Sequence, residues 1–78
     1  SEILHRVFET ENRIGVVLTP EDASLSSEAA ETTLRVPGAK RLLSHDGTGE
    51  YEVSPGKEDG TLQIRMKKES LLILEFEK

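Results

Sequence analysis

Three consecutive residues, Ser44-His45-Asp46, carry the groups of a nucleophile, a general base and an orienting carboxylate. Acyl transfer by such a set needs the serine oxygen on the imidazole and the carboxylate behind it. Consecutive residues in an extended chain point to opposite faces, so Ser44 and His45 are not expected to meet. Asp46-Gly47 instead reads as the start of a turn. His5 and His45 are the two histidines of the chain, and there is no cysteine. Zinc sites draw three or four nitrogen, sulfur or carboxylate donors together, and two histidines with scattered carboxylates fall short of that set. No metal and no cofactor is expected.

Carboxylates come in near pairs: Glu50 with Glu52, Glu58 with Asp59, Glu75 with Glu77. Residues two apart on a strand share a face, which is the arrangement a glycosidase pair would need. Such a pair also needs a cleft that holds a sugar, and a short chain has little volume for one. Solvated positions that keep sheet edges from sticking together are the simpler reading. The glycine-containing stretches "GTGEY" and "PGKEDG" do not lead into a helix, as a phosphate-cradling loop would. "KEDGT" lacks the spaced oxygens and closing glutamate of a calcium loop. No catalytic constellation is found, and the chain by itself is expected not to be an enzyme.

The elements that would have to position these groups are short strands. "ILHRVFET" at 3–10 and "RIGVVLT" at 13–19 flank Glu11-Asn12, a hairpin signal. Pro20 is expected to stop the second strand, because proline has no N–H for the ladder. The stretch 21–29 is polar and reads as a loop, with room for one helical turn. "AETTLRV" at 30–36 alternates, with Thr32, Leu34 and Val36 inward. "PGA" at 37–39 turns the chain into "KRLLSHD" at 40–46. "GTG" at 47–49 is expected to turn it again, into "EYEVS" at 50–54. "TLQIRMK" at 61–67 alternates most cleanly, with Leu62, Ile64 and Met66 against Gln63, Arg65 and Lys67. A link at 68–70 leads to the last strand, 71–77. About seven strands with turn signals roughly every ten residues, and no 3.6-residue apolar period, point to an all-β fold. The expected architecture is a small antiparallel β-sandwich, residues 1–78 forming one domain.

The bulk numbers set limits on partners. The chain has 78 residues, 15 acidic and 10 basic, and a formal charge of -5. Phosphate backbones repel such a chain, so nucleic acid is not an expected partner. No apolar run approaches the ~20 residues that span a membrane, and the start shows no signal-peptide pattern. A domain of this length buries only about 60–65% of the surface of its unfolded chain. Nothing in the sequence fixes a compartment.

The final strand poses the sharpest question. Leu72, Leu74 and Phe76 share one face, while Leu71, Ile73, Glu75 and Glu77 share the other. The strand is apolar on both sides for its first half. Val17 adds an apolar group beyond one face of the second strand, as does either Leu4 with Phe8 or Ile3 with Val7 in the first. Leu71, Ile73 and Val17 are therefore candidate interface residues. Alternatively the last strand is central and covered on both faces, with 20–30 lying over it.

The order of these elements resembles a known domain. "LHRVFETENRIGVVLT" resembles the opening hairpin of the C-terminal β-sandwich of glycoside hydrolases, alpha-amylase-like and related. "TLRVPGAKRLLSHDGTGEYEV" resembles its middle, and "DGTLQIRMKKESLLILEFEK" its closing strands. Thr19 stands where those domains often carry asparagine, and no proline precedes the final strand at 67–70. The resemblance implies a non-catalytic accessory domain, C-terminal in a larger protein, that packs against the catalytic domain of the same chain. It carries over no catalytic residue, because those carboxylates lie on the catalytic barrel. A carbohydrate-binding module is the alternative, with Tyr51 and the loops around 46–50 and 55–60 contacting a glycan. Such modules usually offer two or three exposed rings, and this chain has no tryptophan and only Phe8, Tyr51 and Phe76.

Overall fold

A computed structural model of the chain describes residues 2–22 and 28–78. It is all-β, as expected, with seven strands: β1 (Ile3–Glu9), β2 (Arg13–Pro20), β3 (Ala29–Arg35), β4 (Arg41–Thr48), β5 (Tyr51–Pro55), β6 (Thr61–Lys67) and β7 (Leu71–Glu77). They form two antiparallel sheets, one in the order β1-β2-β7-β4 and the other β3-β6-β5. Across the sandwich β2 meets β6 and β1 meets β3.

The period-two patterns decide what lies between the sheets. Ile14, Val16 and Leu18 of β2 sit in register with Phe76, Leu74 and Leu72 of β7. All six are buried, and Ile64, Met66, Ala30 and Leu34 of the facing sheet close the core over them. Each large side chain fully removed from water contributes about 1.5–3 kcal/mol. The last strand is thus central in its sheet, yet its second face is not covered: Ile73 remains 44% exposed. The segment that the alternative places over this strand, 20–30, includes residues 23–27, which lie outside the described residues. The polar stretch read as a loop or helical turn falls mainly on residues 23–27, outside the described residues.

Three local expectations need correction. Strand β2 includes Pro20, paired with Ile3, and the ladder runs on to a 2.7 Å bond from Glu21 N–H to Glu2 C=O. Even-numbered residues of β1 therefore aim their backbone groups at β2, so the Ile3–Pro20 pair aims away from the shared ladder. Proline's missing N–H faces the β7 side, where pairing has already ended at Leu18–Leu72. No ladder bond is lost.

The second correction is the turn at 47–49. β4 runs on through Gly47 and Thr48, opposite Leu72 and Leu71, and the turn falls at Gly49-Glu50. Gly47 is there for close approach rather than for turning: a Cβ on it would land on the Leu71 carbonyl oxygen. Gly49 supplies the turn with φ +76°. Third, β4 is not a regular strand. Leu42 pairs with Phe76 and Ser44 with Glu75, leaving Leu43 as an extra residue in a bulge.

Candidate functional site

The outward face of the four-stranded sheet is built from alternate residues of its strands. On β1 these are Leu4, Arg6 and Phe8; on β2, Gly15, Val17 and Thr19; on β7, Leu71, Ile73 and Glu75. The register fixes their rows. Arg6, Val17, Ile73 and Asp46 lie side by side across the sheet, and Phe8, Gly15, Glu75 and Ser44 form the next row. Gly15 has no side chain to flank the Phe8 ring, which stays 58% exposed. Leu4, at 51%, borders a shallow groove of about 440 Å³ that Arg6, Val17 and Thr19 also line.

On this face Val17 and Ile73 sit between Arg6 and Asp46, and one end carries two ion pairs. There Arg13 pairs with Glu75 at 3.5 Å and Arg41 with Glu77 at 3.1 Å. The candidate interface residues do come together. Val17 and Ile73 are direct register partners, and Leu71 lies two residues along from Ile73 on the same face, half-buried beside Thr48. The open choice in the first strand also resolves. Leu4 and Phe8 belong to this face, and Ile3 is buried inward. Val7 faces inward by register yet is 49% exposed on the edge strand β1. Alternation alone could not reveal that exposure, since it reports which face a residue takes and not what covers it.

The other groups singled out by type are dispersed. Ser44 and Asp46 face outward on β4 while His45 faces inward, as strand alternation requires. His5 and His45 stand on opposite edges of the same sheet, on β1 and β4. Among the described residues no three His, Asp or Glu side chains converge as a metal site would require. Four of the six paired carboxylates, Glu50, Glu58, Glu75 and Glu77, form ion pairs. Glu58 meets Arg35 at 3.2 Å, and Glu75 and Glu77 meet the arginines named above. Glu50 meets Lys67 at 2.9 Å, and Lys67 also meets Glu28 at 3.2 Å. The hydrogen bond from Lys67 holds the Glu50 carboxyl below the usual carboxylate range. The Glu50 and Glu28 carboxylates in turn push the Lys67 ammonium above its ordinary value.

Tyr51 is half-buried at the start of β5 and packs against the core. Its ring meets His45 edge-on, with centroids 6.1 Å apart and planes at 85°. It borders an open polar groove of about 330 Å³ lined by Glu50, Glu52, Arg65 and Lys67.

The outward sheet face thus gathers four aliphatic or aromatic groups in adjacent rows, with Arg6 and Asp46 at the ends of the Val17–Ile73 row. Compared with protein-family models, curated proteins and solved structures, the chain finds no match in any of the three.

Proposed function

We propose that this chain is a non-catalytic accessory β-domain that docks through the outward face of its four-stranded sheet onto a larger catalytic domain of the same polypeptide. The glycoside hydrolase resemblance supplies the kind of partner. One observation carries the reading: Leu4, Phe8, Val17 and Ile73 occupy neighbouring positions on one sheet face, three of them exposed. Apolar groups gathered on one face favour burial against another surface, at about 25 cal/mol for each Å² covered. The domain's own core leaves this face unused, so docking costs no internal packing.

The test is solvent protection of the Leu4, Val17 and Ile73 methyl groups. They are compared in the isolated chain and in the polypeptide encoded in the same reading frame. Protection in the longer protein is the expected result. Methyls equally open in both, or a reading frame with no second domain, would overturn the proposal.

The second reading, a carbohydrate-binding module, rests on the polar groove beside Tyr51. Amide-shift titration with a panel of soluble oligosaccharides separates the two. Shifts clustered on Tyr51 and residues 46–60 favour the module; shifts nowhere on the chain remove it.

A further inference from the structure

We propose that β1 is a self-recognition edge, through which two copies of this chain join antiparallel into one continuous eight-stranded sheet. The proposal uses the edge of the sheet rather than its outward face, so it stands or falls separately from the docking reading.

The backbone geometry defines what the edge offers. Glu2 C=O accepts from Glu21 N–H, and Thr10 N–H donates to Arg13 C=O at 2.9 Å. Between these points the β1–β2 register runs without a shift. Backbone groups alternate in direction along a strand, so Leu4, Arg6 and Phe8 bond to β2 while His5, Val7 and Glu9 direct theirs outward. Among the described residues β1 pairs with β2 alone.

Edges of this kind are usually blunted by bulges, prolines or shortness. β4, at the other side of the same sheet, has its bulge at Leu43. β5, an edge of the second sheet, is five residues long and ends in Pro55. β1 has seven residues, no proline, no glycine and no bulge. Three of the exposed large apolar side chains, Leu4, Val7 and Phe8, sit on it.

The charges select both the partner and the register. Consider two copies related by a two-fold axis through Val7. His5 then faces the second copy's Glu9 on one side of the sheet, and this happens twice. Arg6 faces the second copy's Phe8 on the other side, where a guanidinium can lie against the ring. Outward-directed His5, Val7 and Glu9 face one another, giving about six backbone hydrogen bonds, two in each of three facing pairs. Glu9 also meets Lys78 of its own copy at 3.7 Å, and its carboxylate would accept an imidazole N–H from His5 of the second copy. Moving the axis to Arg6 sets arginine against arginine, and moving it to His5 sets histidine against histidine. Like charges directly opposite are unfavourable. Of these three registers the Val7 one is complementary to itself. A seven-residue edge buries less than the about 1,200 Å² of a standard interface, so the dimer is a weak one.

Sedimentation of the 78-residue chain from micromolar to millimolar concentration tests this. A reversible monomer–dimer equilibrium is expected. Val7→Pro removes only an outward N–H and leaves the β1–β2 ladder intact, so the variant should fold and remain monomeric. His5→Glu sets two carboxylates against each other, and Glu9→Lys removes the carboxylate that accepts from His5; each should weaken association by about tenfold or more. An equimolar mixture sets the introduced glutamate against the introduced lysine in one pair and keeps His5 with Glu9 in the other, and should dimerise again. Ile73→Ser, on the sheet face, should leave the equilibrium unchanged. A chain that stays monomeric throughout would overturn the proposal. So would a Val7→Pro variant that still dimerises, a mixture that fails to recover, or loss of the dimer in Ile73→Ser.

Discussion

Ile73 and Leu74 are neighbours in sequence and opposites in consequence. Leu74 is fully buried and Ile73 is 44% exposed. Leu74→Ala should cost about 2–5 kcal/mol, as a cavity left in a packed core does. Ile73→Ser should cost less than about 1 kcal/mol, the residual price of a poorer strand former on a half-exposed surface. Urea denaturation of both variants checks the contrast, and a large loss at Ile73 would mean that its face is covered within the domain. Gly47 is the residue whose role the sequence conceals. It reads as a turn glycine but stands inside β4, against the Leu71 carbonyl. Gly47→Ala should therefore destabilise by about 2 kcal/mol or more, through backbone displacement rather than lost turn geometry. The same denaturation measurement would show it. Gly49, with φ +76°, is where left-handed geometry is needed.

At the scale of elements, β1 and β6 make opposite predictions. β1 hangs from its sheet by one ladder. At low protein concentration the Leu4, Arg6 and Phe8 amides should exchange slowly with solvent and those of His5, Val7 and Glu9 rapidly. Exchange measured by NMR would show this alternation, and uniform protection would contradict the assigned ladder. β6 ends in Lys67, held by Glu50 from the start of the β5 hairpin and by Glu28 from the approach to β3. Glu50 titrates below its ordinary 4.5 in the folded chain, so its contribution is present above pH 4.5 and lost as pH falls through the lowered value. Lys67 titrates above its ordinary 10.5, so its contribution is present below pH 10.5 and lost as pH rises through the raised value. The stabilising effect of Lys67 over Lys67→Met should be greatest between these limits and shrink outside them. It should also shrink with added salt, because the three groups are open to solvent. Thermal melts of both proteins across pH and ionic strength test the expectation. The bulge at Leu43 had no counterpart in the pattern of "KRLLSHD", since two adjacent leucines fit either register of a strand.

For the molecule as a whole, two sheets share one core, and central strands face central strands through β2 and β6. The four-stranded sheet carries Leu4, Phe8, Val17 and Ile73 on its outward face, the proposed docking surface, and β1 at one edge, the proposed pairing surface. Their separation is itself testable. Ile73→Ser should impair docking onto a catalytic domain, read as methyl protection, while costing less than about 1 kcal/mol of stability. Val7→Pro should do the reverse for self-association and leave docking intact.

The sequence by itself determined the seven strands, their antiparallel sandwich class and the two faces of β2, β6 and β7. Those follow from side-chain alternation and turn residues, which act over a few neighbours. It also placed Val17, Leu71 and Ile73 beyond the core face. Only the tertiary structure decided that Val17 and Ile73 adjoin, that Phe8 lies across Gly15, that Val7 is exposed despite its inward register and that Gly47 belongs to a strand. Each of these depends on strand order, register and what covers each face. Those are set by packing between residues distant in the chain, for which a local pattern carries no signal.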